Sequence, residues 1–342
     1  MSHAEMQPTA DFTNDETREL VQNFRTSMDQ LRAQIGAVIV GQEHVVESLL
    51  VALLTGGHCL ITGMPGTAKT LLVRTLASAL GLKFSRIQFT PDLMPSDITG
   101  TEIIDEHPET GHRSWHFVEG PLFTNVLLAD EINRTPPKTQ SALLEAMQER
   151  SVTVRGSIRT LEPPFFVLAT QNPIELEGTY PLPEAQLDRF VFNILLDHLD
   201  ADGEYDVVQR FTQRLDVPSV TAVSDAETIL RFQWLTRQVP VSETIGRYAV
   251  RLVRATRPDS EEATDAVRRF VSYGASVRAT LFIVLAAKAE ALLNGRYHVI
   301  DDDISKVAAP VLRHRVLTNY HAEADGRSVD DVIADIVEKV RP

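Results

Sequence analysis

A glycine-containing turn between an apolar run and a helix-like segment has residue types that suit a phosphate group. The run is His58–Thr62, the turn is Gly63-Met64-Pro65-Gly66-Thr67-Ala68-Lys69-Thr70, and Leu71–Leu80 follows. Backbone N–H groups of such a turn surround a phosphate at a helix start, where the helix dipole favours negative charge. Lys69 would reach the β- and γ-phosphates of a nucleotide, and the Thr70 hydroxyl would ligate Mg²⁺. The alternative is an ordinary Gly/Pro turn with a solvated Lys69.

Ala68 departs from the strict P-loop pattern, which has glycine at that position. An alanine is tolerated there if it keeps ordinary backbone angles, so the departure weakens the match without removing it. The candidate phosphate-binding residues are Gly63, Pro65, Gly66, Thr67, Ala68, Lys69 and Thr70.

Two carboxylates close a second apolar run, Val126–Asp130. Asp130 at the strand end would hold Mg²⁺. Strand alternation would point Glu131 elsewhere, where it could take a proton from an attacking water. The alternative is a pair of acids that cap the next helix. A P-loop in the same layered sheet favours the metal ligand and the base.

Three further polar residues are candidates for the same chemistry. Asn172 follows the apolar run Phe165–Thr170 and would orient the water or contact the γ-phosphate, although an Asn-Pro pair also opens loops. Arg189 precedes the run Phe190–Leu195, either as a surface charge or as an arginine that reaches a neighbouring subunit's γ-phosphate. Arg278 begins a helix, where a positive charge opposes the dipole, which indicates a nearby anion.

Short apolar runs that alternate with helical segments up to about residue 200 predict a layered α/β domain with a buried parallel sheet. The predicted strands are His58–Thr62, Phe84–Phe89, Val126–Asp130, Phe165–Thr170 and Phe190–Leu195. We predict a disordered tail over residues 1–16, a nucleotide-binding domain over 17–205 that opens on an amphipathic helix, a linker over 206–240 and a helical domain over 241–342.

The predicted helical domain has its own start and stop signals. Ser242 would cap a helix, and Ser276–Leu293 follows the helical period. Asp301 would cap a helix that Pro310 ends or kinks, and Ser328 would open the last helix with a capping box. His314, between Arg313 and Arg315, is predicted to belong to a basic surface cluster.

Composition limits the class of protein. The 342 residues suggest two domains at roughly 100–200 residues each. With 47 acidic and 33 basic residues, the formal net charge of −14 argues weakly against a large nucleic-acid footprint. The single Cys59 cannot form an internal disulfide. Since no stretch approaches the ~18 apolar residues of a membrane span, we expect a cytoplasmic protein.

Four segments together resemble the AAA+ ATPases and, more narrowly, the MoxR family. They are the turn at 63–70 with its alanine, DEINRTPPKTQSALLEAMQE at 130–149, ATQNP at 169–173 and GTYPLPEAQLDRF at 178–190. The resemblance covers roughly residues 20–325. It implies a P-loop AAA+ domain, a three-layer structure around a parallel sheet, followed by a small all-α lid domain.

The resemblance also assigns roles. It makes Asn172 the sensor-1 residue, Arg189 the arginine finger and Arg278 the sensor-2 arginine of the lid. It places Gly41 and Gln42 against adenine. It implies a hairpin inserted within Pro91–Glu119, and Val152, Val154 and Ile158 suit a second hairpin within Ser151–Leu161.

By resemblance, the chain hydrolyses ATP with Mg²⁺ at sites shared between neighbouring subunits of a hexameric ring. The family is thought to remodel, assemble or activate partner proteins, often ones with von Willebrand A domains.

Three other functions remain open at this stage: a nucleic-acid-dependent, helicase-like motor, a metal-chelatase motor subunit, and a scaffold that binds ATP without appreciable turnover. The complete acid pair argues against the scaffold. The insert carries seven acids, against Arg113 alone, which argues against nucleic acid: Asp92, Asp97, Glu102, Asp105, Glu106, Glu109 and Glu119. The second hairpin, with Arg150, Arg155 and Arg159, leaves room for it.

Overall fold

A layered α/β domain is followed by a helical lid in the computed structural model, which describes residues 15–64, 66–106, 113–172, 178–212 and 218–342. The first part contains α1 (Asp15–Gly36), α2 (Glu43–Thr55), β1 (Cys59–Gly63), α3 (Lys69–Ala79), β2 (Phe84–Gln88), α4 (Pro95–Thr99), β3 (Gly100–Glu106), β4 (Arg113–Glu119), β5 (Val126–Asp130), a 3₁₀ turn (Ile132–Arg134), α5 (Pro137–Glu149), β6 (Ser151–Val154), β7 (Ser157–Thr160), β8 (Phe166–Gln171), α6 (Glu184–Leu187) and β9 (Phe192–Leu196). The second part contains α7 (Ala201–Thr212), α8 (Ala226–Gln238), α9 (Glu243–Arg254), α10 (Asp265–Phe270), β10 (Val271–Tyr273), α11 (Val277–Leu293), α12 (Asp301–Leu312), β11 (Leu317–Thr318), α13 (Tyr320–Ala324) and α14 (Val329–Val340).

Within the described residues, five strands form one sheet in the order β2-β5-β8-β1-β9, and all of its pairings are parallel. The strands β5 and β8 are buried almost throughout, as their unbroken apolar sequences require. Each predicted strand is present, with its ends shifted by no more than two residues, and Val126–Asp130 is matched at both ends. Parallel pairing places the carboxyl ends of β5, β8 and β1 side by side at one edge.

Both predicted hairpins are present. Strands β3 and β4 pair antiparallel from Gly100 opposite Glu119 to Glu106 opposite Arg113, and β6 pairs antiparallel with β7. The first hairpin stands between β2 and β5 in the chain and is mostly exposed, so it projects from the layered domain.

Three predicted boundaries need correction. Residues 1–14 of the predicted tail lie outside the described residues, but Asp15 and Glu16 already belong to α1. The boundary predicted between residues 205 and 206 falls inside α7. The predicted linker over 206–240 contains α8, because Asp225 caps the Thr228 backbone N–H and Ile229, Phe232 and Leu235 recur at helical spacing on its buried face.

The lid follows its sequence signals closely. Ser242 and Ser328 each cap the helix expected from them, the second with the capping box, and the helix expected over Ser276–Leu293 is α11, with Ser276 as its N-cap. In α12 Asp301 is the first helical residue after the N-cap Ile300, and Pro310 lies inside the helix without ending it. The lid is helical apart from the short antiparallel pair of β10 and β11.

One continuous apolar core joins the two parts. It runs from α1 and α2 on one face of the sheet to α8, α9, α11 and α12, while α5 and the insert cover a second core on the opposite face. Helix α2 is central because its residues are apolar nearly all round, so it packs against α1, β9, α8 and α11. The position of the lid is therefore set by burial.

His58 directly precedes β1, and its buried ring makes hydrogen bonds to β8 and to α5. Its Nδ1 accepts a hydrogen bond from the Val167 backbone N–H at 3.0 Å, and its Nε2 lies 3.1 Å from the Met147 carbonyl oxygen. This pattern requires a neutral ring with its proton on Nε2. The pKa of His58 is lowered to about 4, chiefly by burial; the Met147 bond opposes this shift, and the positive charge of Arg150 adds a smaller lowering effect.

We expect this histidine to make stability pH-dependent. Its ordinary pKa is 6.5 and its folded pKa is about 4, so between these values the unfolded chain binds the proton first. The stabilisation is complete above about pH 6.5 and is lost on acidification towards pH 4, at about 1.4 kcal/mol per pH unit. The His58→Gln variant should show a shallower fall of unfolding free energy in urea titrations across this range. Equal slopes for both proteins would contradict the assignment.

Candidate functional site

The turn between β1 and α3 has the geometry of a phosphate-binding loop. The chain leaves the sheet at Gly63 and enters α3 at Lys69, whose first backbone N–H groups have no partner within the helix. Gly66 has a φ of +85°, which a residue with a side chain rarely adopts. Gly63 has a packing reason, since a Cβ there would lie 2.6 Å from the Leu196 carbonyl oxygen of β9. Pro65 lies outside the described residues.

Ala68 does not keep the ordinary backbone angles under which we expected an alanine to be tolerated. It is the N-cap residue of α3, with φ 58° and ψ 26°, in the left-handed region. An L-residue in this region costs roughly 1–2 kcal/mol, so the alanine is strained in the place where the strict pattern has glycine.

Lys69 lies back across the turn and faces the acidic edge of the sheet. Its Nζ donates a 2.5 Å hydrogen bond to the Gly63 carbonyl oxygen. Burial lowers the pKa of Lys69, and the nearby negative charges of Asp130 and Glu131 oppose that effect. The structure thus brings together the lysine and both predicted carboxylates. Thr70 is the next residue of α3, and Thr67 closes the turn with a 2.9 Å bond to the Met64 carbonyl oxygen.

Asp130 ends β5 and is held at both carboxylate oxygens. Its Oδ1 accepts a 2.6 Å bond from the Thr170 hydroxyl of β8, and its Oδ2 accepts a 2.7 Å bond from the Arg86 guanidinium of β2. The register explains this contact, since Gln88 pairs with Asp130 and Ala129 with Ala169. Residues from both neighbouring strands therefore fix the orientation of this carboxylate.

Glu131 turns away from the strand because its backbone is left-handed, with φ 58° and ψ 49°, and not through strand alternation as predicted. Its backbone N–H donates to the Thr170 hydroxyl at 2.9 Å. Its Oε2 accepts bonds from Gln88 at 2.8 Å and from Arg134 at 3.0 Å. One threonine hydroxyl thus links the two acids, and β2 holds the second one.

Asn172 follows β8 at the same edge and is buried. The structure therefore gathers Lys69, Asp130, Glu131 and Asn172 at the carboxyl ends of β1, β5 and β8. The sequence did not point to Arg86, Gln88 or Thr170, because their importance depends on the strand order. The polar ends of the runs at residues 84–88 and 166–171 were the available signal.

A cavity of about 470 Å³ opens beside the turn. Its wall is largely apolar and includes Val40, Gln42, Ala68, Leu71 and Val208. Gln42 is held in this wall by a 3.3 Å bond from its Nε2 to the Asp197 carbonyl oxygen. Gly41 does not line the cavity, but its neighbours Val40 and Gln42 do. The φ of +65° at Gly41 lets the chain turn between them. An apolar cleft next to a phosphate turn suits a flat aromatic base.

Arg189 lies at the opposite edge of the sheet. In β9, Leu196 pairs with Gly63 at the phosphate edge, and Phe192 pairs with Cys59 at the other. Four strand steps of about 3.3 Å separate these levels by roughly 13 Å. Arg189 precedes Phe192, is half-buried, and donates a 2.8 Å bond to the Leu144 carbonyl oxygen of α5. It does not join the Lys69 cluster of its own chain.

Arg278 is also at this opposite edge. It follows the Ser276 cap of α11, and its guanidinium lies 3.4 Å from Asp188 Oδ2, next to Arg189 in the chain. Arg278 was predicted to lie near an anion because it begins a helix, and in this chain that anion is the Asp188 carboxylate. The structure therefore groups the two predicted arginines with each other and separates them from Lys69.

The residues at the phosphate edge fit a magnesium nucleotide. Lys69 and the helix start supply positive charge for phosphate oxygens. The Thr70 hydroxyl and the Asp130 carboxylate are the hard oxygen donors that Mg²⁺ prefers. No cluster of three or more His, Cys, Asp or Glu side chains suited to a metal occurs in the parts of the chain that the structure describes.

Comparison with known proteins agrees with the fold and the turn. Residues 58–192 match the model of the ATPase family associated with various cellular activities, and residues 263–336 match the AAA lid domain. Chaperone MoxR1 of Mycobacterium tuberculosis is 44% identical over 90% of this chain and 80% of that protein. Protein YeaC of Bacillus subtilis is 41% identical over 90% of this chain and 92% of that protein.

A solved structure has the same fold. The crystal structure of a protein from Cytophaga hutchinsonii superposes with a TM-score of 0.88 at 42% identity, covering 96% of this chain and 98% of that one. The fold is thus an AAA+ domain with a helical lid, and the protein is an ATPase. Within that class, the chain belongs to the MoxR family. No helix among residues the structure describes has the length and apolar character to cross a bilayer.

The strain at Ala68 gives a testable expectation. Ala68→Gly should raise the unfolding free energy in urea, without nucleotide, by about 1 kcal/mol, because glycine adopts positive φ freely. The matched control is Ala334→Gly on the exposed side of α14, which should lower it by about 1 kcal/mol. A loss of stability in both variants would show that Ala68 is not strained.

Proposed function

We propose that the chain hydrolyses ATP with Mg²⁺ at sites shared between neighbouring subunits of a homo-oligomeric, hexameric ring in the cytoplasm. The separation of the two predicted halves of the site supports this proposal. Lys69 and the two acids lie at one edge of the sheet, whereas Arg189 and Arg278 lie at the other. An arginine at the far edge can serve a phosphate only on another molecule, which a closed ring supplies.

In this scheme each residue has one task. The turn from Gly63 to Thr70 binds the phosphates, Asp130 and Thr70 hold Mg²⁺, and the apolar cavity with Gln42 receives the base. Mg²⁺, when bound, neutralises charge that develops on the phosphate oxygens. Glu131 takes the proton of the attacking water and Asn172 orients that water. Arg189 of the neighbouring subunit stabilises the transition-state charge, with Arg278 at the same interface.

We expect Glu131→Gln to retain ATP and to lose about 10²- to 10⁴-fold in turnover, because it lacks the base but keeps the phosphate turn. Arg189→Ala should lose about 10³- to 10⁵-fold although its own pocket is intact. Phosphate release and binding of a fluorescent ATP analogue measure the two effects separately. An Arg189→Ala ring with full turnover would refute the shared site.

Mixing these two variants tests the geometry directly. In a mixed ring, an Arg189→Ala subunit supplies a complete phosphate edge and its Glu131→Gln neighbour supplies Arg189, so some sites regain every group. Turnover of the mixture should therefore exceed that of either variant alone. Mixed rings without recovery would mean that each site forms within one chain.

We further propose that hydrolysis remodels, assembles or activates partner proteins, including ones with a von Willebrand A domain, through the two hairpins. Trp115 of β4 is 59% exposed and Ile158 of β7 is 72% exposed, so the hairpins present apolar side chains to solvent. The Arg155 guanidinium lies 4.6 Å from the Trp115 ring centroid, and the Arg159 guanidinium 4.6 Å from that of Phe117, so the hairpins brace each other.

These contacts also bear on the nucleic-acid alternative. The second hairpin could serve such a role only through its arginines, and Arg159 is within 3.7 Å of Glu102 on the acidic insert. With Arg155 against Trp115, two of the three arginines face the first hairpin, which favours a protein partner.

For the partner, we expect Glu131→Gln to retain a bound protein from cell extract with ATP present, because the ring stays in the ATP state. Adding Trp115→Ser to Glu131→Gln should reduce that retention at unchanged ATP affinity. Co-purification followed by mass spectrometry measures both. Equal retention with and without the Trp115 change would remove the hairpins from the proposal.

A further inference from the structure

The segment Arg313–Arg315 after α12 is buried against the sheet domain and is not the basic surface cluster that the sequence predicts. His314 is 7% exposed and Arg315 is 5% exposed. The segment faces residues 188–193, which lead into β9 and contain Arg189. The lid thus contacts the chain on both sides of the predicted arginine finger.

Arg315 supplies most of these contacts. Its Nε donates to Asp188 Oδ1 at 2.7 Å, and one terminal nitrogen donates to the carbonyl oxygens of Asp188 at 2.9 Å and Phe190 at 2.5 Å. The other terminal nitrogen donates to the carbonyl oxygen of Val191 at 3.2 Å and also to that of Val311. The guanidinium therefore brackets position 189 from both sides.

The neighbours of Arg315 extend the same contact. Arg313 donates a 2.7 Å bond to the Asn193 carbonyl oxygen, and His314 Nε2 lies 3.1 Å from that of Phe190. On the other side of Asp188, its Oδ2 accepts bonds from the Ser276 hydroxyl at 3.1 Å and from Arg278 at 3.4 Å. Two arginines of the lid thus share the carboxylate that directly precedes Arg189.

Electrostatics make this contact specific. Burial, partly offset by the Asp188 carboxylate, lowers the pKa of Arg315 to about 10, so the guanidinium stays charged at neutral pH. A buried charge needs its partner and its hydrogen bonds. The planar guanidinium satisfies a carboxylate and several carbonyls at fixed angles, which a lysine ammonium cannot do. The lid and the Arg189 segment are therefore held in one defined geometry.

We propose that Arg315 and Asp188 are positioning residues that fix Arg189 to the lid, so that a displacement of the lid changes the site of the neighbouring subunit. We call this contact the finger link. The inference rests on the proposed function, since it assumes that Arg189 acts across the ring. It adds a mechanical route, because a displacement of the lid of one subunit moves Arg189 at the site of the next.

Two charge-conserving variants test the finger link. Arg315→Lys and Asp188→Glu keep the two opposite charges but change the length of one side chain, so each variant should fold. Each should lower ring turnover by about ten-fold or more, because Arg189 is misplaced. Affinity for a fluorescent ATP analogue should stay within about two-fold, since the phosphate edge is untouched. The control is Arg296→Lys, the same change in the ion pair with Asp303 inside the lid, which should leave turnover unchanged.

A double variant separates positioning from general damage. If Arg315 acts through Arg189, adding Arg315→Lys to Arg189→Ala should not lower the residual single-turnover rate further. A further ten-fold loss in the double variant would overturn the finger link. If one of the two single variants does not fold, the other still carries the test through the same double-variant comparison.

Mixing distinguishes failure of the finger link from failure of the shared site. Arg315→Lys subunits mixed with Glu131→Gln subunits should regain turnover, as Arg189→Ala subunits do. Recovery with Arg189→Ala but not with Arg315→Lys would refute the link and leave the shared site standing. No recovery with either would refute the shared site itself.

Discussion

The constraint on which this molecule depends is that the five central strands run in the same direction. Parallel pairing gathers the carboxyl ends of β1, β5 and β8 at one edge and sends the amino end of β9 to the other. The groups proposed to bind phosphate and metal therefore collect on one side. The segment with Arg189 precedes β9 and therefore lies at the opposite edge of the sheet. One chain thus carries the two proposed halves of the site at opposite edges, and the proposed assembly follows from that polarity.

Hydrogen bonds organise the acidic edge more than its sequence suggests. The Thr170 hydroxyl bridges the Asp130 carboxylate and the Glu131 backbone, while Arg86 and Gln88 of β2 bind one acid each. Carboxylates placed this close together repel each other, and these donors offset that repulsion before any cation arrives. The edge strand β2 therefore has a chemical role as well as a structural one.

Much of the fold could be predicted from the sequence because its signals are local. Five apolar runs predicted the strands, two serine caps predicted helix starts in the lid, and helical periodicity predicted α11. Contacts between distant segments could not be predicted in this way. The threonine at 170 gains its role from strand order, and Arg315 looked like a surface charge because its partners lie more than a hundred residues away. The predicted linker contains α8, whose buried face is defined by its packing on the distant helices α2 and α11.

The apolar character of α2 has a consequence for how the protein can be divided. This helix belongs to the nucleotide-binding part by sequence, yet α8 and α11 cover its outer face. A fragment that stopped before the lid would present that face to water and would tend to aggregate. The two parts are therefore distinct in chain order but share one cooperative unit of folding, so truncation is a poor way to study either alone.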